Sequence, residues 1–194
     1  TPRECGADIA VGEGQPLGMP LGFGGPYLGF MAATHDLFRK LPGRIVGETT
    51  YDAGNRAFVL TLQAREQHIR REKASSNVCS NQALCAMTAA VYLSAMGPGG
   101  LREAASQCYA KAHYLAAELG KVPGFTLAYP EAPFFHEFVM ACPVPPEELL
   151  ARLEAADILG GLSVEGGVLW CATEKNTRAD MDRVAAIARE VAQV

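Results

Sequence analysis

The chain has no C-x-x-C pair, no basic excess, no apolar run of membrane length free of polar residues, and no nucleophile in its most glycine-rich loop. Its six cysteines, Cys5, Cys79, Cys85, Cys108, Cys142 and Cys171, stand singly. That spacing argues against a zinc ribbon or a disulfide framework and for reduced, mostly buried thiols of a cytosolic protein, with no metal site expected. Lys and Arg number 17 against 21 Asp and Glu, a net charge of -4, and the isoelectric point is near 5.6. A nucleic-acid partner is therefore not expected, since the basic cluster from Arg65 to Lys73 has no extension. Val78 to Met96 is apolar, but Ser80, Asn81, Gln82, Thr88 and Ser94 interrupt it, so a core helix is expected and a membrane span is not. Neither an initiator Met nor a signal peptide opens the sequence. What is present is apolar residue, 49% of 194, enough to bury a core in one or two domains.

The most shaped segment runs from Gly12 to Phe30, GEGQPLGMPLGFGGPYLGF. Its glycines let backbone approach closely or pass through φ > 0, and Pro16, Pro20 and Pro26 remove donors, so a regular helix is excluded. Asp8 to Val11 leads in and Tyr27 to Ala33 leads out, which reads as strand, glycine loop, strand. That is where an α/β enzyme holds a cofactor, yet the loop contains no lysine, serine or cysteine.

A second block, Leu62 to Gln82, is LQAREQHIRREKASSNVCSNQ. Arg65, Arg70, Arg71, Lys73 and His68 stand just ahead of three candidate N-caps, Ser75, Ser76 and Asn77. A helix start carries free N–H groups and a positive dipole end, so with hydroxyls and Arg nearby it suits a phosphate. The same residues also fit a plain helix cap beside surface ion pairs.

Both blocks resemble the glycine decarboxylase P-protein family, pyridoxal-phosphate (PLP) enzymes of the aspartate aminotransferase fold type I. In that family's catalytic half a His-Lys pair precedes a Pro-x-Gly-x-Gly-Gly-Pro run, and its lysine forms the Schiff base. Pro20-Leu21-Gly22-Phe23-Gly24-Gly25-Pro26 matches the run, which puts Gln15 at the lysine's place. A carboxamide has no amine to form an imine. The resemblance thus points to subunit 1, the non-catalytic branch of the two-subunit bacterial form, and the Leu62 to Gln82 block looks like that branch's signature. It implies no catalytic residue here. It also implies that Arg70, Lys73, Ser75 and Ser76 reach the phosphate of the PLP held by the partner, subunit 2, in a cytoplasmic heterotetramer that also meets the lipoyl H-protein. Further, the resemblance covers the latter part of a longer subunit, and Thr1 to Glu4 fits a start within a loop.

The elements expected are α/β, then α+β. His35 to Leu41 forms a short helix stopped by Pro42-Gly43. Arg44 to Thr49 and Ala57 to Thr61 are strands joined by a turn at Asp52 to Asn55. One helix runs from about Val78 to Met96 and ends at Gly97-Pro98. A second, Leu101 to Leu119, places Leu101, Ala105, Cys108, Ala112, Leu115 and Leu119 on one face, with Gly120 as its stop. Strands at Phe125 to Tyr129 and Glu137 to Ala141, a helix entered at Pro145-Pro146, strands at Gly161 to Val164 and Val168 to Ala172, and a helix capped by Thr177 complete a ββαββα order. The domains expected are 1–97, the end of a large PLP-type domain; 98–121, a linking helix; and 122–194, a small α+β domain.

Several residues remain to be placed. His136 stands where the subunit 1 branch commonly has Asn, which favours a structural role for His136 and Glu137. Glu174-Lys175 stands where aminotransferase relatives put a substrate-binding arginine, and Arg178 falls inside the following helix. Lys73 and Lys40 are the nearby lysines, with Lys73 the better rival for an imine. Two other readings stay open: a self-sufficient PLP homodimer using such a lysine, and a non-catalytic binding or regulatory module of the same fold.

Overall fold

Two runs of alternating residues broken by turn residues make two antiparallel ribbons in the first half of the chain. The computed structural model describes residues 1–74 and 82–193. The chain divides into two compact units, 1–95 and 96–194. In the first, β1 (Ile9–Glu13) pairs with β2 (Gly29–Ala33), Ile9 opposite Ala33 and Glu13 opposite Gly29. The glycine loop is therefore the connection of a wide hairpin. A 3-10 turn over His35–Lys40 follows, ending ahead of Pro42 as its lack of a donor requires. The second ribbon joins β3 (Ile45–Tyr51) to β4 (Asn55–Thr61) through Asp52–Gly54. The two ribbons belong to separate two-stranded sheets.

A short helix, α1 (Gln67–Arg70), leads to a 3-10 turn at Arg71–Lys73. The long helix α2 spans Ala83–Leu119 and is interrupted at Gly97, whose φ of 60° and ψ of 178° leave the helical region. Pro98 follows, at the first turn of the continuing helix, where its missing N–H costs nothing. The expected start near Val78 is corrected: Gln82 lies outside the helix and its carbonyl accepts the Ala86 N–H at 2.9 Å, so the first turn forms on Gln82. Ser75, Ser76 and Asn77 lie outside the described residues.

By length and composition α2 could cross a membrane. The break at Gly97, however, leaves its apolar half short of the roughly 20 residues a span needs. Within this half Cys85 and Ala89 are the buried residues of this chain, while Leu84 is 73% and Val91 66% exposed. Two narrow ribbons provide no sheet broad enough to cover a helix.

In the second unit the apolar residues converge. β5 (Thr126–Leu127), β6 (Glu137–Ala141), β7 (Leu162–Val164) and β8 (Gly167–Cys171) form one antiparallel sheet in the order β5-β6-β8-β7. Period-2 alternation sends Phe138, Met140, Val168 and Trp170 to one face. Helix α3 (Pro146–Glu154) sets Leu149 and Leu153 into this core, and α4 (Arg178–Val191) adds Met181, Val184 and Ala188. Residues 98–121 join the same core through Ala112, Leu115 and Leu119, while Leu101 and Ala105 of the expected face are exposed. Helix α4 starts with a capping box: the Thr177 hydroxyl accepts from the Asp180 N–H at 3.2 Å, and the Asp180 carboxylate accepts from the Thr177 N–H at 3.1 Å. Such a cap is worth about 1 kcal/mol.

The expectation of mostly buried thiols does not hold. Among the described cysteines Cys85 is buried, Cys108 and Cys142 are half-buried, and Cys5 and Cys171 are exposed. Cys171 ends its strand on the alternation phase opposite to the buried Trp170. Cys79 lies outside the described residues.

Candidate functional site

The glycine loop is held closed by its own polar groups. Glu13, the last residue of β1, accepts two backbone N–H bonds on one carboxylate oxygen, from Gln15 at 2.9 Å and from Leu28 at 2.6 Å. The Gly14 N–H donates to the Leu28 carbonyl at 2.6 Å, and the Met19 N–H to the Gln15 carbonyl at 3.1 Å. Gln15 itself is half-buried, and its side-chain amide donates to the Pro20 carbonyl at 2.8 Å. The carboxamide is thus tied to the loop's own backbone five residues on.

Two glycines are required by close approach. A Cβ on Gly22 would stand 2.2 Å from the Gly25 carbonyl oxygen, and one on Gly18 would stand 2.9 Å from the Tyr92 Cβ, which seats the loop on the first half of α2. Beyond Gly22 the loop turns outward. Phe23 is 96% exposed at a φ of 49°, followed by Gly24 and Gly25 at positive φ.

The basic block is arranged on α1 and the turn after it. Glu66 is buried, and its carbonyl accepts the Ile69 and Arg70 N–H groups, at 3.1 and 3.0 Å. That fastens the start of α1. His68, Arg70, Arg71 and Lys73 are all exposed, and Arg71 takes the unusual φ of 51°. Among the described residues no ion pair engages Arg70, Arg71 or Lys73. The candidate phosphate residues Ser75 and Ser76 lie outside the described residues, so only Arg70 and Lys73 of that set are placed. Cavities among the described residues of this unit include one of about 750 Å3 along the ribbons past Val11, Phe30, Leu41 and Arg44, one of about 480 Å3 among Arg3, Asp8, His35 and Asp36, and one of about 330 Å3 beside Gly18, Met87 and Tyr92. None of these three is lined by Gln15, Arg70 or Lys73.

The family pattern of the glycine cleavage system P-protein matches residues 1–188. The chain belongs to the glycine cleavage system P-protein family. It is 52% identical over 197 residues to the probable glycine dehydrogenase (decarboxylating) subunit 1 of Moorella thermoacetica, covering 98% of this chain and 44% of the relative. The corresponding protein of Chlorobium limicola is 54% identical over 185 residues, covering 93% and 42%. A crystal structure of glycine decarboxylase (P-protein) of the glycine cleavage system, in inhibitor-bound form, superposes with a TM-score of 0.86 at 46% identity, covering 98% of this chain and 44% of that one. The α/β fold is thus the P-protein fold, and the chain spans less than half the length of the relatives it matches.

P-protein family members are generally PLP-dependent, and the residues here fit that cofactor unevenly. Gln15, aligned by the Pro20 to Pro26 run, carries no amine and is committed to the Pro20 carbonyl, so it does not fit a covalent anchor. Arg70 and Lys73, exposed and without an ion pair among the described residues, fit an anion. Lys40 is exposed at the end of its 3-10 turn and stands in neither loop nor block.

The second unit holds polar clusters that no sequence motif announces. Arg178, the first residue of α4, lies over the Tyr114 ring at 5.1 Å and donates to the Tyr114 hydroxyl at 3.2 Å, while that hydroxyl donates to Asp182 at 2.5 Å. The Asp182 bond holds the Tyr114 hydroxyl above its ordinary pKa. Arg178 is therefore engaged within its own unit. Glu174 accepts from the Cys108 thiol at 3.3 Å, and its carbonyl accepts from Lys111 at 2.5 Å. Burial pushes the thiols of Cys108, Cys142 and Cys171 upward, with the Glu137 carboxylate adding to the effect on Cys171. Thiols so held are poor nucleophiles. His113 stacks on Phe134 at 4.0 Å, whereas the Nδ1 of the half-buried His136 is enclosed without a partner.

Proposed function

We propose that this chain is a portion of subunit 1 of the glycine cleavage system P-protein, and that it supports PLP chemistry carried out on subunit 2. Residues 1–97 would then end a large PLP-type domain, 98–121 would link it to a small one, and 122–194 would form that small domain. The observation that carries the reading is Gln15. At the position matched to the family's lysine, the side chain is a carboxamide bonded to the Pro20 carbonyl, and nothing in that loop can replace the amine. The cradle shape persists while its chemical group is gone.

The supporting role falls to the cations. Arg70 and Lys73 are exposed on a short turn and have no carboxylate partner among the described residues, so a phosphate from a neighbouring subunit would find donors there. Ser75 and Ser76 would add hydroxyls to the same phosphate. One charge-assisted bond of this kind contributes about 1.5–3 kcal/mol. When bound in the partner, PLP supplies the sink for the electron pair released as glycine loses CO2, and the aminomethyl group passes to the lipoyl arm of the H-protein. In a heterotetramer of two copies of each subunit, this chain would furnish an interface, the positive edge and part of the H-protein surface, in the bacterial cytoplasm.

The test is chemical. The chain is incubated with PLP, reduced with borohydride and digested, and the peptides are searched for a phosphopyridoxyl group. No specific adduct is expected; one on Lys73 or Lys40 overturns the supporting role and favours a self-sufficient enzyme. Co-expression of the complete subunit with a lysine-bearing subunit 2 is expected to give a stable complex. Failure to form it favours a separate binding module.

A further inference from the structure

The antiparallel register of the second unit brings three different donor types to one point. Glu137 opens β6 directly opposite Cys171, the last residue of β8, and paired residues of an antiparallel ladder project on the same side of the sheet. His136 stands immediately before β6, and its carbonyl accepts the Ala172 N–H at 3.1 Å, which fixes the residue against the end of β8. As a result one ring nitrogen of His136, one carboxylate oxygen of Glu137 and the Cys171 Sγ all lie within 4.8 Å of one another.

Among the described residues these donors are not spent elsewhere. His136 Nδ1 is enclosed with no hydrogen-bond partner among them, an unusual state for a buried ring nitrogen. Phe135 lies edge-on to the ring at 4.9 Å. Neither Glu137 nor Cys171 takes part in an ion pair or side-chain hydrogen bond to another described residue, and both are exposed enough for an ion to reach them.

We propose that His136, Glu137 and Cys171 form a binding site for zinc(II) or a similar borderline divalent cation. A mixed nitrogen, oxygen and sulfur set suits such an ion, whereas magnesium and calcium require oxygen donors throughout. Bond lengths of about 2.0–2.3 Å place the donors of a tetrahedral zinc roughly 3.2–3.8 Å apart. Binding would draw the three donors, now within 4.8 Å of one another, closer to that range. Three protein ligands leave a fourth position for water or a further donor. The site lies within the second unit, away from Gln15 and Arg70 in sequence, and does not depend on the reading of the first unit.

Cobalt(II) titration of the metal-free chain tests this. A stoichiometric thiolate-to-cobalt charge-transfer band with tetrahedral-type visible bands is expected. Cys171→Ser is expected to abolish the charge-transfer band, and His136→Asn and Glu137→Gln each to weaken affinity about tenfold or more, with Cys5→Ser unchanged and magnesium giving no competition. In the unaltered chain, zinc is expected to slow alkylation of Cys171 about tenfold while leaving Cys5 untouched, with recovery on chelation. That second readout needs no folded variant. The absence of a charge-transfer band, its survival in Cys171→Ser, or an alkylation rate at Cys171 indifferent to zinc each overturns the site.

Discussion

The two units of this chain differ in how their apolar residues are used. In 96–194 a four-stranded sheet and three helical segments meet around Leu119, Met140, Leu149, Leu153 and Val168, all among the most enclosed side chains. In 1–95 two ribbons and half a helix leave Val11, Phe30, Phe58, Leu84 and Val91 largely exposed. The second unit closes its own core. The first has the elements of an α/β layer without the broad sheet that would cover them, consistent with a chain that spans 44% of a relative such as the Moorella thermoacetica protein. Close packing and the candidate site are thus separated: the glycine loop and basic block lie in the sparsely packed unit.

The contrast can be broken most forcefully at the core. Leu153→Ala is expected to destabilise the second unit by about 2–5 kcal/mol through lost burial and a residual cavity, read as a fall in the midpoint of its cooperative thermal transition. If it does not, the unit is not organised around that side chain. A smaller effect is expected at the cap of α4, where Thr177→Ala should cost about 1 kcal/mol in the same unfolding measurement. The smallest is expected in the first unit, where Leu84→Ala should change stability by less than about 0.5 kcal/mol. A larger loss would mean that this surface is covered by more than the ribbons described here.

The capping box also sharpens the comparison through pH. Hydrogen bonds from the Thr177 side chain, then from its backbone, hold the Asp180 carboxyl below the ordinary aspartate pKa. A depressed folded-state pKa contributes stability that is present above the unfolded value and lost as pH falls through the folded one. The second unit's thermal midpoint should therefore drop on acidification below the usual aspartate range, by an amount reduced in Asp180→Asn. Because the carboxylate is exposed, the effect should be slight. Hydrogen exchange offers a last check, with amides of β6 and β8 expected to exchange far more slowly than those of β1 and β2.

Much of this was legible beforehand, and the failures are physical. Both ribbons, the Gly97 break, Glu137–Ala141 and the Thr177 cap follow from alternation, turn residues and capping chemistry, which act over a few positions. The start of α2 is not legible in the sequence because several polar residues in a row, Ser75 to Asn77 and Ser80 to Gln82, can each begin a helix, and propensity alone does not choose among them. Cysteine burial departs from the expectation because a thiol's apolar character does not fix which strand phase it occupies. Glu13 escaped notice because a carboxylate that accepts the N–H of Leu28 looks in sequence like any surface acid.

Local patterning was sufficient for the α/β and α+β order and for the glycine loop, since each depends on residue chemistry at known separations, while the missing amine at Gln15 is what the resemblance to the P-protein family implies. Only the folded chain decided that Gln15 ties its loop through Pro20, that the apolar half of α2 is left exposed in this chain, and that Glu137 faces Cys171 beside an unpartnered His136. These depend on register and packing between residues far apart in sequence, which no short window contains.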